Sequence, residues 1–323
     1  MTSPARRPDP HAGPQHAGRG HAPHVHGVGA GTGQRRLAAA LALLLAYLVA
    51  EVVVAVLTNS LALLSDAGHL LTDAGAIGAA LWAIRLAARP ARDAWTFGWK
   101  RAEIISALGN GVTMLVIAAV VAVEAVRRLV DSHPDVHAGP VLAVALVGIV
   151  VNVAVAWLLA GAHRGSLNID GAYQHILTDL YGIIGTVLAA IVIITTGWMK
   201  ADAIASLAVA VLMLRAGWAL LRDSVRILLE AAPAGTSLEE IRRHLLASPY
   251  VLDVHDLHVW TVTSDLASLS AHLVIDDACF IDGHAPQILD LVQECLDGHF
   301  DVEHSTFQLE PRSHAEHEHG AHA

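Results

Sequence analysis

Residues 60–84 read SLALLSDAGHLLTDAGAIGAALWAI, a run of mostly apolar side chains that is long enough to cross a bilayer. Within this run, His69 and Asp73 are four residues apart. An α-helix brings residues at that spacing onto one face, so the run presents an imidazole and a carboxylate in the same direction. Ionisable side chains in a membrane are costly unless they face a partner or a water-filled cavity, and this pair therefore indicates a functional position.

A second run repeats the pattern. Residues 171–198 read GAYQHILTDLYGIIGTVLAAIVIITTGW, with His175 and Asp179 again four residues apart. One such pair alone is compatible with a hydrogen bond that only fixes helix packing. Two pairs with identical spacing argue against packing alone, because Asp and His are rare in membrane spans.

The composition is that of a polytopic membrane protein with some soluble chain attached. Of 323 residues, 54% are hydrophobic and only 15% are charged. The formal net charge is −10, the acidic excess lies mostly after residue 230, and no strong basic patch predicts binding to nucleic acid. There are 21 histidines and only two cysteines, without a CxxC motif. The scarcity of cysteine is typical of a protein in a reducing compartment, and the abundance of histidine favours metal chemistry based on imidazole and carboxylate.

Apolar runs of transmembrane length recur through the first two thirds of the chain. They cover residues 37–57, 60–84, 104–126, 138–162, 171–198 and 203–221. We therefore predict an α-helical membrane domain with six transmembrane helices in residues 35–222, with the lipid bilayer as its surroundings.

The distribution of lysine and arginine predicts the orientation. One set of connecting segments is rich in basic residues: Arg35, Arg36, the loop of residues 85–101, Arg164, Arg222 and Arg226. The alternate set holds only Arg127, Arg128 and Lys200. Because basic loops stay on the cytoplasmic side, both termini are predicted to be cytoplasmic.

The two ends of the chain are rich in histidine and poor in large apolar side chains. Residues 1–34 and 312–323 therefore cannot bury a core, and we predict that both are disordered. Their histidines either collect metal loosely or are simply solvated. They are His11, His16, His21, His24, His26, His314, His317, His319 and His322.

Residues 230–311 have the composition of a small soluble domain. Ser237 followed by Glu240 is a capping-box pattern that predicts a helix to about residue 246. Residues 251–263 and 266–275 alternate as strands, a helical pattern follows around residues 288–295, and a last strand covers about 302–309. The order αββαβ predicts an α+β domain with one sheet and two helices.

The two membrane pairs together could hold a metal ion. If the second and fifth spans pack together, two nitrogens and two oxygens form a four-coordinate site for zinc or a similar cation. The ligands are His69, Asp73, His175 and Asp179. Two carboxylates cancel the charge of a divalent ion, which is favourable at low dielectric. An unperturbed histidine titrates at about pH 6.5, so protons compete with the metal at physiological pH.

Three stretches resemble the cation diffusion facilitator family: NSLALLSDAGHLLTD at residues 59–73, FGWKRAEIISALGNG at 97–111 and HILTDLYGIIG at 175–185. The resemblance implies a homodimeric metal–proton antiporter with a cytoplasmic ferredoxin-like domain. It would be a multi-pass protein of the cell (inner) membrane that exports Zn²⁺ and related cations such as Cd²⁺ and Co²⁺. The family's transport site carries over to the four membrane ligands above, and histidine at position 69 is the pattern of zinc-preferring members.

The resemblance also implies two features outside the bilayer. A charged contact between Arg101 and Glu230 would couple the membrane domain to the soluble domain. Some relatives bind regulatory Zn²⁺ in the soluble domain, although Gln308 stands here where some of them have histidine. The corresponding residues in this chain are His255, His272, His284 and Glu310.

Two other classes of function compete with metal transport. An intramembrane metallohydrolase is disfavoured, because the sequence contains no HExxH motif and neither pair supplies a separate general-base glutamate. We therefore predict that the protein is not an enzyme. A membrane-anchored metal sensor or buffer without transport remains the alternative, although a pure sensor would not need the ligands inside the membrane.

Overall fold

The computed structural model describes residues 26–58, 61–130, 138–161, 166–198, 200–264, 266–300, 302, 304–315 and 317. Six long helices come first: α1 His26–Thr58, α2 Leu61–Ala87, α3 Ala102–Val130, α4 Ala138–Ala160, α5 Leu167–Thr196 and α6 Lys200–Leu228. The rest of the chain forms α7 Leu238–Leu246, β1 Val251–Thr263, β2 Leu266–Ile275, α8 Ala278–Ile281, α9 Ala285–His299, β3 His304–Pro311 and α10 Arg312–Ala315. This architecture confirms the predicted fold class, a helical membrane domain followed by an α+β domain.

Four of the long helices share one apolar core. α1, α2, α4 and α5 each contribute side chains to it, and their largest members are almost fully buried. They include Leu37, Leu44, Ile77, Leu81, Leu159 and Ile176. This core fixes how α2 and α5, the helices with the two His/Asp pairs, pack against each other.

α3 and α6 form a second unit that packs along most of its length. Gly111 of α3 and Gly217 of α6 mark their closest approach. A Cβ built on Gly111 would lie 3.1 Å from the backbone nitrogen of Leu221 and 3.3 Å from the carbonyl oxygen of Gly217. Small residues at such a crossing let two membrane helices come into backbone contact, so glycine is required here.

The helices are long and apolar enough to cross a bilayer. Within the described side chains, α1, α2, α3, α5 and α6 meet this criterion, and Leu146–Ala160 of α4 forms a shorter apolar segment. Large apolar side chains on their outer faces are more than half exposed, as expected for a surface solvated by lipid. Examples are Val49, Val120, Trp157, Leu188 and Val211.

The C-terminal domain is a three-stranded sheet covered by α7 and α9. β1 pairs with β2 in antiparallel register, and β2 pairs with β3 in parallel register. The Ser237 side chain caps α7 by accepting a hydrogen bond from the Glu240 backbone nitrogen, as the capping-box pattern predicts. Apolar side chains from both helices and from β1 and β2 fill the space between the layers, among them Ile241, Leu245, Val254, Leu273, Ile288 and Val292.

Some boundaries differ from the predicted ones. α1 begins at His26, inside the segment predicted to be disordered, because extending an existing helix adds one hydrogen bond for each residue fixed. At the other end, the short helix α10 lies beyond residue 311, inside the second segment predicted to be disordered. The backbone nitrogen of its first residue, Arg312, donates to the Asp277 carboxylate. His314 and His317 are exposed, whereas the other terminal histidines predicted to collect metal, apart from His26, lie outside the described residues.

Candidate metal centre

Three ionisable side chains meet between α2 and α5. His175 Nε2 lies 2.7 Å from Asp73 Oδ1 and 3.7 Å from Asp179 Oδ2. Asp73 and His175 are each 2% exposed as residues, and the Asp179 side chain is 10% exposed. One ligand atom from each of the three lies within 4.8 Å of the others, a separation that one metal ion can bridge. The packing therefore brings together candidate ligands from two different helices.

His69 belongs to α2, one helical turn before Asp73. Residues at i and i+4 lie on the same face of a helix, which is the geometry that the sequence predicts for this ligand. The side chain of His69 lies outside the described part of the structure, so its role in the centre stays a prediction.

A buried asparagine that the sequence analysis did not single out joins the same two helices. The Asn168 side chain of α5 is 2% exposed as a residue, and its Nδ2 donates to the carbonyl oxygen of Ala80 on α2 at 2.9 Å. Ala80 follows Asp73 by the same seven residues by which Asn168 precedes His175. The two helices are therefore antiparallel, and the hydrogen bond fixes their register two turns from the candidate metal ligands.

A second cluster lies on the sheet of the C-terminal domain. His255 of β1 stands opposite His272 of β2 in the strand register. Glu310 of β3 is 1% exposed and reaches both imidazoles, with Oε2 3.2 Å from His255 Nε2 and Oε1 2.8 Å from His272 Nδ1. These three side chains also have ligand atoms within 4.8 Å of one another, so the cluster could hold a metal.

His284, Gln308 and Asp256 are each placed differently relative to this cluster. His284 precedes α9, and its ring stacks on Tyr250 with centroids 6.0 Å apart; it is not in the group of three. Gln308 donates from Nε2 to Glu310 Oε1 at 2.7 Å. Asp256, which the sequence analysis missed, has a left-handed φ of 46° at a bulge in β1. This conformation directs its carboxylate to 3.9 Å from His255 Nδ1.

The predicted charged pair is present at the junction of the two domains. Arg101 NH2 lies 2.8 Å from Glu230 Oε1, and both side chains are substantially exposed. Arg101 ends the loop before α3, and Glu230 follows α6 with a left-handed φ of 59°. The loop between α2 and α3 therefore lies on the same side of the helical domain as the C-terminal domain.

Two family profiles match the chain and together cover both domains. Residues 37–229 match a profile described as "Cation efflux transmembrane domain", and residues 233–312 match "Cation efflux protein, cytoplasmic domain". The chain belongs to the cation diffusion facilitator family. As a cation efflux transporter it is a multi-pass membrane protein and not an enzyme, which confirms both predictions.

Several bacterial relatives are similar to this cation diffusion facilitator over most of its length. The "Cadmium, cobalt and zinc/H(+)-K(+) antiporter" of Bacillus subtilis (strain 168) is 39% identical over 293 residues, covering 90% of this chain and 93% of the relative. "Metal cation efflux system protein CzcD" of Cupriavidus metallidurans is 39% identical over 293 residues, covering 91% and 90%. "Zinc transporter ZitB" of Escherichia coli (strain K12) is 38% identical over 278 residues, covering 85% and 87%.

Proposed function

We propose that this transporter exports Zn²⁺ from the cytoplasm in exchange for protons, through a site formed by His69, Asp73, His175 and Asp179. Cd²⁺ and Co²⁺ are further candidate cargo, in keeping with the printed names of its relatives. The observation that carries the proposal is the meeting of three ligand atoms from two membrane helices in a buried position.

The charges of these side chains suit a divalent cation. Two carboxylates and two neutral imidazoles give a loaded site with no net charge, which limits the cost of holding the ion away from water. Nitrogen and oxygen donors in a set of four also match the coordination that zinc prefers in proteins.

The contact between His175 and Asp73 supports exchange with protons. A separation of 2.7 Å between Nε2 and Oδ1 is that of a hydrogen bond, so a proton lies between the two atoms when no metal is bound. Zinc needs the Nε2 lone pair, so a neutral His175 carries its proton on Nδ1 in the loaded site, and the additional proton of an imidazolium His175 or of a protonated Asp73 is the one released as the metal binds. Release of the metal allows a proton to return.

The proposed sidedness follows from the distribution of basic residues and from the contact between the two domains. The basic loop of residues 85–101 contacts the C-terminal domain through Arg101 and Glu230, so both lie on one side of the helical domain. Since basic loops favour the cytoplasm, this side and both termini are proposed to be cytoplasmic, in the inner membrane.

Zinc flux should follow an imposed pH gradient. In proteoliposomes with an acidic lumen and equal potassium on both sides, outward movement of protons should drive accumulation of zinc, measured with an entrapped zinc dye. A protonophore should abolish the accumulation, and protein-free liposomes are the control. Flux that ignores the gradient would contradict proton exchange. Binding of zinc without any flux would favour the membrane-anchored sensor or buffer instead.

The chain is also proposed to act as a homodimer in which the C-terminal domain responds to metal. The profile that matches residues 233–312, the cytoplasmic domain of cation efflux proteins, carries the name ZT_dimer, which supports the homodimer. As an exposed ion pair, Arg101 and Glu230 would contribute little to stability. Their proposed role is to keep the two domains in register as the helices move.

His255, His272 and Glu310 are the proposed ligands of a regulatory Zn²⁺. They provide three of the four donors that a structural zinc prefers, and Glu310 is already held between both imidazoles. A zinc ion there would join β1, β2 and β3 at one point. His284 stays a prediction from the family resemblance.

Loss of one of these ligands should remove zinc binding outside the membrane. We expect His255→Ala to lose one zinc per chain in calorimetric titration, measured in an Asp73→Asn background so that the membrane centre does not contribute. His258→Ala removes an exposed histidine from the same strand and is the matched control. Equal stoichiometry in the two variants would exclude this cluster as a zinc site.

A further inference from the structure

A contact between the two domains, outside both candidate metal clusters, is centred on Glu103 in the first turn of α3. Its Oε1 accepts a hydrogen bond from the hydroxyl of Ser166, the N-cap residue of α5. Two hydroxyls from the end of β1 and the turn after it also face this carboxylate, with Thr263 Oγ1 at 3.2 Å and Ser264 Oγ at 3.4 Å. One carboxylate therefore connects α3, α5 and the C-terminal domain.

Ser264 also contacts α5 directly. Its Oγ accepts a hydrogen bond from the backbone nitrogen of Leu167, the first residue of that helix, at 3.1 Å. A serine hydroxyl has one hydrogen to donate and two lone pairs to accept with, so Ser264 can serve Leu167 and Glu103 together. Ser166 does the same within the membrane domain, since its Oγ also accepts from the Ile169 backbone nitrogen.

The position of Glu103 explains why a carboxylate suits this junction. It lies beside the N-terminal ends of two helices, α3 and α5, where backbone N–H groups lack partners within the helix. The aligned peptide dipoles make such ends partly positive, so a negative side chain is stabilised by both. Its two oxygens then recruit the hydroxyls that tie the ends together.

This junction lies on the same helix as two of the proposed metal ligands. His175 and Asp179 follow Leu167 on α5 by about 12 and 18 Å along the helix axis, from the rise of 1.5 Å per residue. A continuous helix moves nearly as one body, so the position of its first turn affects the position of these ligands. In the C-terminal domain, β1 continues from Thr263 back to His255, a ligand of the proposed regulatory zinc.

We propose that Glu103 is a positioning residue for transport, which together with Thr263 and Ser264 fixes the first turn of α5 against the C-terminal domain. The role rests on the proposed function, because it concerns the helix that carries His175 and Asp179. It differs from the Arg101–Glu230 pair, which joins the loop before α3 to the residues that follow α6.

The test compares two serine-to-alanine variants of the full chain in proteoliposomes. Ser264→Ala removes the hydroxyl that joins Leu167 to Glu103, whereas Ser237→Ala removes the cap of α7 inside the same domain. Both variants lose one hydrogen bond accepted from a backbone nitrogen. We expect Ser264→Ala to lower maximal zinc flux about tenfold, since hydrogen bonds near a charged group are among the stronger ones, and Ser237→Ala to keep the parent flux.

Two further measurements separate positioning from a general loss of stability. Ser264→Thr retains a hydroxyl and should restore the flux. Amide hydrogen exchange of the peptide that begins at Leu167 should be faster in Ser264→Ala and in Glu103→Gln than in the parent or in Ser237→Ala. Because the two residues share a contact, the losses of flux caused by Ser264→Ala and Glu103→Gln should be less than additive in the double variant.

The outcomes are distinguishable. Parent flux in Ser264→Ala, or an equal loss in Ser237→Ala, would overturn the positioning role while leaving the proposed function intact. Unchanged exchange of the Leu167 peptide in Ser264→Ala would also overturn it. A parent protein that moves no zinc would instead overturn the proposed function, and this role with it.

Discussion

Asp73→Asn is expected to reduce zinc flux at least about a hundredfold, since even supporting contacts of a metal ligand often contribute ten- to a hundredfold. The substitution keeps the size of the side chain but replaces an anionic ligand with a neutral amide. The loaded centre would then carry a net positive charge away from water, which disfavours binding. Flux in proteoliposomes at a fixed pH gradient measures the effect.

Asp202→Asn is the matched control for this prediction. Asp202 also lies on a membrane helix, but at the end of α6 opposite to the junction, where its carboxylate pairs with Arg128 at 3.2 Å and is partly exposed. Exposed ion pairs contribute little, so this variant should transport at close to the parent rate. Normal flux in Asp73→Asn would exclude Asp73 from the transport pathway.

The second large effect concerns the α3–α6 pair. Gly111→Leu should destabilise the protein by about 1–3 kcal/mol, because overpacking a tight contact forces backbone shifts. The atoms that a new Cβ would meet are the backbone nitrogen of Leu221 and the carbonyl oxygen of Gly217, and neither can rotate away as a side chain would. A lower midpoint of thermal unfolding in detergent measures the loss.

Gly109→Leu provides the comparison within the same helix. Gly109 lies two residues away, is exposed, and a Cβ there would have no neighbour within 4 Å. A surface change of this kind should alter the free energy of unfolding by no more than about 0.5 kcal/mol. If both variants had the same midpoint of thermal unfolding, the close approach of α3 and α6 would not be the reason for glycine at position 111.

The hydrophobic pattern predicted the fold class because it differs between the two domains, with long apolar runs in the first and apolar/polar alternation in the second. Long apolar runs required membrane helices, since a buried backbone in lipid must satisfy its own hydrogen bonds. Alternation in residues 251–263 and 266–275 required strands, and these bounds match β1 and β2. Helix ends were predicted less well, as at His26 and Leu228, because a helix can continue beyond the run that crosses the membrane.

Candidate ligands were also visible in the sequence, because charged side chains inside an apolar run are costly and therefore informative. The repeated spacing pointed to His69, Asp73, His175 and Asp179, of which the last three meet in the structure. The location of His284 could not be inferred in the same way, since sequence order does not say where the start of α9 lies relative to the sheet.

By itself, the sequence determined which residue types lie on which helix or strand, because periodicity and the cost of burying charge act locally along the chain. Only the tertiary structure decided which of those faces meet. The hydrogen bond from Asn168 to Ala80, the contacts of Glu310 with His255 and His272, and the junction at Glu103 depend on such meetings. Each joins groups far apart in sequence, and their distance is set by how whole helices and sheets pack.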